Sequence, residues 1–150
     1  MNIMEAIQQS KDFKSNYERC IVNVQYTASW LNNSSSDLMS EFDLTMQQYN
    51  ILRILKGQHP KATTVKMLIE RMLDKSSNAS RIVDKLVKKK LVERNQCPND
   101  RRQVDVLITE NGIKLLHMAT KKIDSELNAS PTLSEKDAAL LSDLLDKLRG

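Results

Sequence analysis

The chain has few of the residues that interrupt helices: three glycines and three prolines in 150 residues. A strand-rich fold needs a turn every few residues, so this scarcity points to a mostly helical protein. Aromatic side chains are only 4% of the composition, yet the apolar residues recur with a helical period, so a folded chain with a modest core is expected. No run of about 18 apolar residues occurs, which excludes a hydrophobic helical span of a bilayer. The opening Met1-Asn2-Ile3-Met4-Glu5 lacks the basic-then-apolar layout of a secretory leader. Cys20 and Cys97 form no metal or redox spacing, and a reducing cytoplasm is the expected setting. With His59 and His117 the only histidines, and no nucleophile elbow or phosphate loop, neither an enzyme, a metal site nor a cofactor is expected.

Charge is abundant but uneven. The net +4 divides into −3 over residues 1–44, +9 over 45–102 and −2 over 103–150. A basic middle between acidic ends is the electrostatic footprint of a polyanion-binding segment.

The basic segment centres on Asp74 to Lys88, read here as one amphipathic helix with Asp74 as its cap. Ala79, Ile82, Val83, Leu86 and Val87 make its apolar stripe. Ser77, Arg81, Asp84, Lys85 and Lys88 occupy the far face, with Asn78 beside them. Short hydroxyl and amide side chains at the N-terminal end, backed by arginine and lysine, suit a helix laid against base edges and phosphates.

The flanking segments give that helix its context. Residues 11–31 carry Phe13, Tyr17, Cys20, Ile21, Val24, Ala28 and Leu31 on one face, and Asn32-Asn33-Ser34-Ser35-Ser36 is expected to weaken or end that helix. Ile3, Met4 and Ile7 hint at a shorter piece before it. Thr45 and Gln48 form a T-x-x-Q capping box, with Leu44 and Tyr49 as its staple, and Lys56-Gly57 closes the helix. A third helix, capped by Thr63 or Thr64, buries Val65, Leu68, Ile69 and Met72. Two amphipathic helices joined by a short turn at Leu73-Asp74 are a helix-turn-helix signature.

After Lys88-Lys89-Lys90, a strand over Leu91–Gln96 and a second over Gln103–Ile108 flank a turn, Cys97-Pro98-Asn99-Asp100-Arg101-Arg102. This hairpin makes a wing whose tip exposes Arg101 and Arg102, residues suited to a narrow minor groove or to phosphates. Thr109-Glu110-Asn111-Gly112 caps a helix that Ser130-Pro131 breaks. A last helix carries Ala138, Leu141, Leu145 and Leu148 with Leu140 and Leu144 alongside, a stripe too wide for a free surface helix, so a second chain is expected to cover it.

Three motifs together resemble the MarR family, the multiple-antibiotic-resistance regulators, from about Cys20 to the C-terminus. Leu44-Thr45 with Gln48-Tyr49 resembles the family's L-T-x-x-Q-[YF] opening of its second helix. Asp74-Lys75-Ser76, Ser80-Arg81 and Asp84-Lys85-Leu86 resemble its recognition-helix pattern. Asp100-Arg101-Arg102 with Thr109 and Gly112 resembles its wing. Lys90 stands where the family usually has glycine, and Ile108 replaces a leucine.

The fold implied is mainly α with a small β-hairpin wing (α+β): one MarR-like domain over 1–150, a winged helix-turn-helix with N- and C-terminal dimerisation helices. An N-terminal dimerisation region spans 1–43, the DNA-binding lobe 44–112 and the C-terminal dimerisation helices 113–150. The resemblance implies a homodimer on double-stranded DNA, reading a near-palindromic operator, as a repressor released by a small ligand, often aromatic or phenolic. Lys75, Ser76, Ser77, Asn78, Arg81 and Lys85 are the expected major-groove contacts, and Arg101 and Arg102 the wing contacts. Tyr26, Trp30 and Tyr49 are the residues around which a ligand pocket is expected. Two alternatives stand beside this reading: an oxidant sensor using Cys20, and a winged-helix protein-interaction module that binds no DNA.

Overall fold

The computed structural model describes residues 1–97, 100–129 and 132–150, and all side chains within them except those of 97, 100–103 and 127–129. In chain order the elements are α1 (Ile3–Ala6), α2 (Asn16–Ser40), α3 (Met46–Gln58), β1 (Thr63–Thr64), α4 (Val65–Arg71), α5 (Ala79–Lys88), β2 (Val92–Cys97), β3 (Asp100–Ile108), α6 (Glu110–Ala129) and α7 (Glu135–Arg149). They divide into two compact units, Met1–Leu116 and His117–Gly150. The first is a winged helix-turn-helix lobe with a long N-terminal helix.

α2 starts later and runs further than its composition suggests. Ser15 caps it by accepting from the Glu18 N–H, and it passes through Asn32–Ser36 to Ser40. Those side chains compete for backbone groups locally. The buried Met39 beyond them anchors the helix, and packing outweighs propensity. The end is a Schellman turn: Leu44 N–H donates to Met39 O, Asp43 N–H to Ser40 O, and Asp43 takes φ 51.

α3 begins with the expected capping box. Gln48 N–H donates to Thr45 Oγ1 at 3.2 Å, and Thr45 N–H to Gln48 Oε1 at 3.1 Å. The helix packs against α2, α4, α5 and β3, burying Tyr49, Ile51, Leu52, Ile54 and Leu55. Leu68, Met72, Val83, Leu86, Val92 and Val106 complete this core. Each such side chain, fully buried, stabilises the lobe by about 1.5–3 kcal/mol relative to exposure. Ile69, expected inside, is 42% exposed; α4 is too short for its whole apolar stripe to face the core.

The sheet is antiparallel with order β1-β3-β2. Thr63 pairs with Val106, and Val92 with Ile108. The two-residue strand β1 carries no alternating pattern of its own, and only its pairing with β3 makes it a strand. Thr64 then caps α4 by accepting from the Met67 N–H at 3.2 Å. β3 begins at Asp100, so Arg101 and Arg102 are strand residues rather than turn residues. Cross-strand pairing of Cys97 with Asp100 extends the ribbon past the point where local turn chemistry ends it.

In the second unit, α7 has a Ser134 cap and no buried residue. Leu140, Leu141 and Leu144 are each about half exposed.

Candidate nucleic-acid interface

The stretch from Asp74 to Lys88 is not one helix. α5 starts at Ala79, and its cap is Asn78, whose Oδ1 accepts from the Arg81 N–H at 3.1 Å. Asp74, expected as the cap, organises the turn before it. Its carboxylate accepts from Ser76 N–H at 2.9 Å, Ser76 Oγ at 2.6 Å and Ser77 Oγ at 2.7 Å. Both Asp and Asn favour caps and turns; the choice between them depends on where Ala79 and Val83 meet the core, which a local pattern does not state. Leu73 N–H donates to Asn50 Oδ1 at 3.1 Å, a long-range bond that ties the turn to α3.

This turn has a chemical consequence. An ionised carboxylate only accepts, so both serine hydroxyl protons are committed to Asp74. Ser76 and Ser77 therefore offer lone pairs outward, which match the amino groups of adenine or cytosine rather than phosphate oxygens. The bonds from the Ser76 hydroxyl, then the Ser77 hydroxyl, then the Ser76 amide hold the Asp74 carboxyl below its ordinary value of 3.8. The order it lends the turn is thus complete above that value and fades only as pH falls through the lowered one.

Arg81, Lys85 and Lys88 lie exposed on the face of α5 opposite the buried Ala79, Val83 and Leu86. Lys75, Ser76 and Asn78 are exposed as well, and Ser77 is half-buried. Arg81 makes no ion pair among the described residues. Asp84, on the same side of the helix, is ion-paired with Arg94 of β2. The structure thus brings Lys75, Ser76, Ser77, Asn78, Arg81 and Lys85 into one turn and helix face next to the ribbon. The side chains of Arg101 and Arg102 lie outside the described ones.

The joint between α5 and the ribbon is built from named bonds. Leu91 N–H donates to Leu86 O and Lys90 N–H to Val87 O, a second Schellman turn with Lys90 at φ 59. The left-handed conformation costs a non-glycine residue about 1–2 kcal/mol. Thr109 Oγ1 donates to Lys90 O at 2.9 Å and accepts from Gly112 N–H at 3.0 Å. A Cβ on Gly112 would sit 2.2 Å from Leu91 O, so only glycine fits there. In the same turn, Lys89 Nζ is ion-paired with Asp43 at 3.0 Å.

A family model described as the MarR family matches residues 44–104. The HTH-type transcriptional regulator YdcH of Bacillus subtilis, itself uncharacterized, is 32% identical over 126 residues, covering 81% of this chain and 85% of that protein. The chain belongs to the MarR family. Among solved structures, MepR of S. aureus in complex with DNA superposes with a TM-score of 0.76 at 22% identity, over 91% of this chain and 97% of that one. The organohalide-sensing regulator RdhR, bound to 2,4-dichlorophenol, gives 0.78 at 18% identity over 94% and 85%. At such identities the likeness concerns the winged fold that MarR proteins share. MarR proteins are DNA-binding transcription regulators, and this is a regulator of the helix-turn-helix type.

The remaining sequence-based sites are dispersed. Cys20 is exposed on α2. Tyr26 and Trp30 are 38% and 58% exposed, while Tyr49 is buried in α3. Sequence reading missed an open groove of about 540 Å³ between α2, the start of α3 and the Asp74 turn, lined by Asn32, Asn33, Ser36, Gln47, Asn50, Leu73 and others. Tyr26, Trp30 and Tyr49 are not among its lining residues. Its polar residues come from three elements far apart in the chain, so no local motif announces it.

Proposed function

We propose that the protein is a homodimeric repressor that binds a near-palindromic operator in the cytoplasm and is released by a small ligand. The observation that carries the DNA half is the unobstructed face of α5: Arg81, Lys85 and Lys88 exposed beside a serine turn and an antiparallel ribbon. Ser76, Ser77 and Asn78 with Arg81 and Lys85 meet base edges, Lys75 lies at the same end of the face, and Arg101 and Arg102 reach the minor groove or phosphates. Dimerisation is supported by apolar surface on each unit: Tyr17, Trp30 and Leu31 on α2, and Leu140, Leu141 and Leu144 on α7. A dimer would set two recognition helices about one turn of DNA apart.

The groove beside the Asp74 turn supports release by a ligand. Its volume suits a small molecule, and its wall is the segment that places Ser76 to Asn78. A molecule that competes with Leu73 N–H for Asn50 would shift that segment away from DNA. The solved relative with 2,4-dichlorophenol bound makes phenolic compounds the first to screen. The test is a gel shift on duplexes that the protein selects from a random library. Binding that weakens steeply as salt rises, with a site of two related halves, supports the reading; salt-insensitive or absent binding refutes it.

A second reading, oxidant sensing, is favoured by one observation, the exposure of Cys20. Peroxide release of DNA that survives Cys20→Ser would exclude it.

A further inference from the structure

We infer that the Asp84–Arg94 ion pair is a brace that holds the recognition helix and the wing as one rigid reading unit. It makes Asp84 a positioning residue rather than a base-reading one. This rests on the reading of α5 and the ribbon as the DNA-facing surface.

Three observations lead to it. First, Asp84 is the one acidic residue in α5, and it sits among Arg81, Lys85 and Lys88. A free carboxylate there would be repelled by phosphates, so its presence on this face requires a reason. Second, the carboxylate is engaged: Arg94 Nη1 binds Asp84 Oδ1, and the Arg94 side chain is only 29% exposed. The guanidinium partly offsets the carboxylate's charge and fixes its direction toward β2, although Oδ2 makes no bond among the described residues and the Asp84 side chain is 52% exposed. Third, the pair spans the right lever. The ribbon joins α5 through the turn at Lys90, where the bond from Leu91 N–H to Leu86 O closes the chain. The base of the ribbon is also held by the pairing of β3 with β1 and by the burial of Val92 and Val106 in the core, none of which joins β2 to the exposed face of α5. Arg94 lies further along β2, in register with the buried Val106, and fastens the ribbon to α5 at a second place. Two fixed points set an angle.

An exposed ion pair adds little to folding stability, so the pair's effect is on geometry. The wing and α5 must meet adjacent grooves of one duplex at once. An angle fixed beforehand removes the ordering cost that a hinged pair of contacts would incur on binding.

The test uses a duplex selected by the wild-type protein and four variants: Asp84→Asn, Asp84→Glu, Arg94→Gln and the double variant Asp84→Asn with Arg94→Gln. The brace predicts that Asp84→Asn and Arg94→Gln each weaken binding about fivefold and that the double variant is no worse than either. Asp84→Glu keeps a carboxylate within reach and binds within about twofold of wild type. Thermal melting of all four stays near that of wild type, which shows that the loss is not unfolding. Without DNA, amide hydrogen exchange along β2 rises in both single variants. Tighter binding by Asp84→Asn would overturn the brace, because it would mean that Asp84 acts only as a negative charge facing phosphates. Additive losses would overturn it as well. If the wild-type protein retains no duplex, the DNA reading fails, and exchange alone decides: raised exchange at β2 in Asp84→Asn upholds the brace, unchanged exchange removes it.

Discussion

Helices α5 and α7 share an amphipathic pattern and differ in its fate. Val83 and Leu86 of α5 are fully buried, whereas Leu140 and Leu144 of α7 are 54% and 53% exposed. Both carry charged residues on the opposite face, Arg81 and Lys85 in one and Asp143 and Asp146 in the other. Periodicity therefore states that a helix has a face to bury and leaves open what buries it. For α5 the answer is α3, α4 and β2, supplied by the same chain. For α7 we propose a second copy, and that difference can be tested.

A large effect is expected from Gly112→Ala, which forces a Cβ against Leu91 O at the joint below the wing. A cost of about 3 kcal/mol is expected, lowering the melting temperature by roughly 6–12 °C. A melt unchanged by this variant would mean that the joint is looser than described.

Leu86→Ala and Leu144→Ala bear on the comparison itself. The first removes a fully buried side chain and should cost about 2–5 kcal/mol at every protein concentration. The second should cost less, and its cost should depend on concentration, because the face it alters is covered only by association. Sedimentation at increasing concentration checks this. A concentration-independent loss for Leu144→Ala would break the proposed distinction.

Arg81→Ala should weaken binding to a selected duplex by about 1–3 kcal/mol while leaving stability nearly untouched, since the side chain is exposed. Titration beside a thermal melt separates the two. Asn78→Ala removes the cap that accepts from Arg81 N–H and should cost about 1 kcal/mol in denaturant unfolding. Lys90→Gly should go the other way. It relieves the left-handed conformation at φ 59 and should stabilise by about 0.5–1 kcal/mol.

Much of the lobe was legible because its signals are local. The capping box at Thr45 and Gln48 needs only three residues between its partners, and both of its bonds form. The family resemblance singled out Lys90, which stands where glycine is usual, and its φ is left-handed. The failures share a cause. Asp74 and Asn78 are both good caps, and α2 contains a run of poor helix formers, so local chemistry allowed other boundaries. Packing of Met39 and Ala79 decided them. β1 exists only through its partner β3.

The amino-acid order by itself determined the helical class, the basic centre, the capping box of α3 and the hydroxyl-and-arginine surface of the regulator. These depend on neighbours a few residues away, where side-chain geometry and charge act directly. Only the tertiary structure decided where α5 starts, that Ser76 and Ser77 spend their protons on Asp74, and that Asp84 meets Arg94. Those outcomes require segments brought together by burial, and separation along the chain carries no record of which pairs will meet.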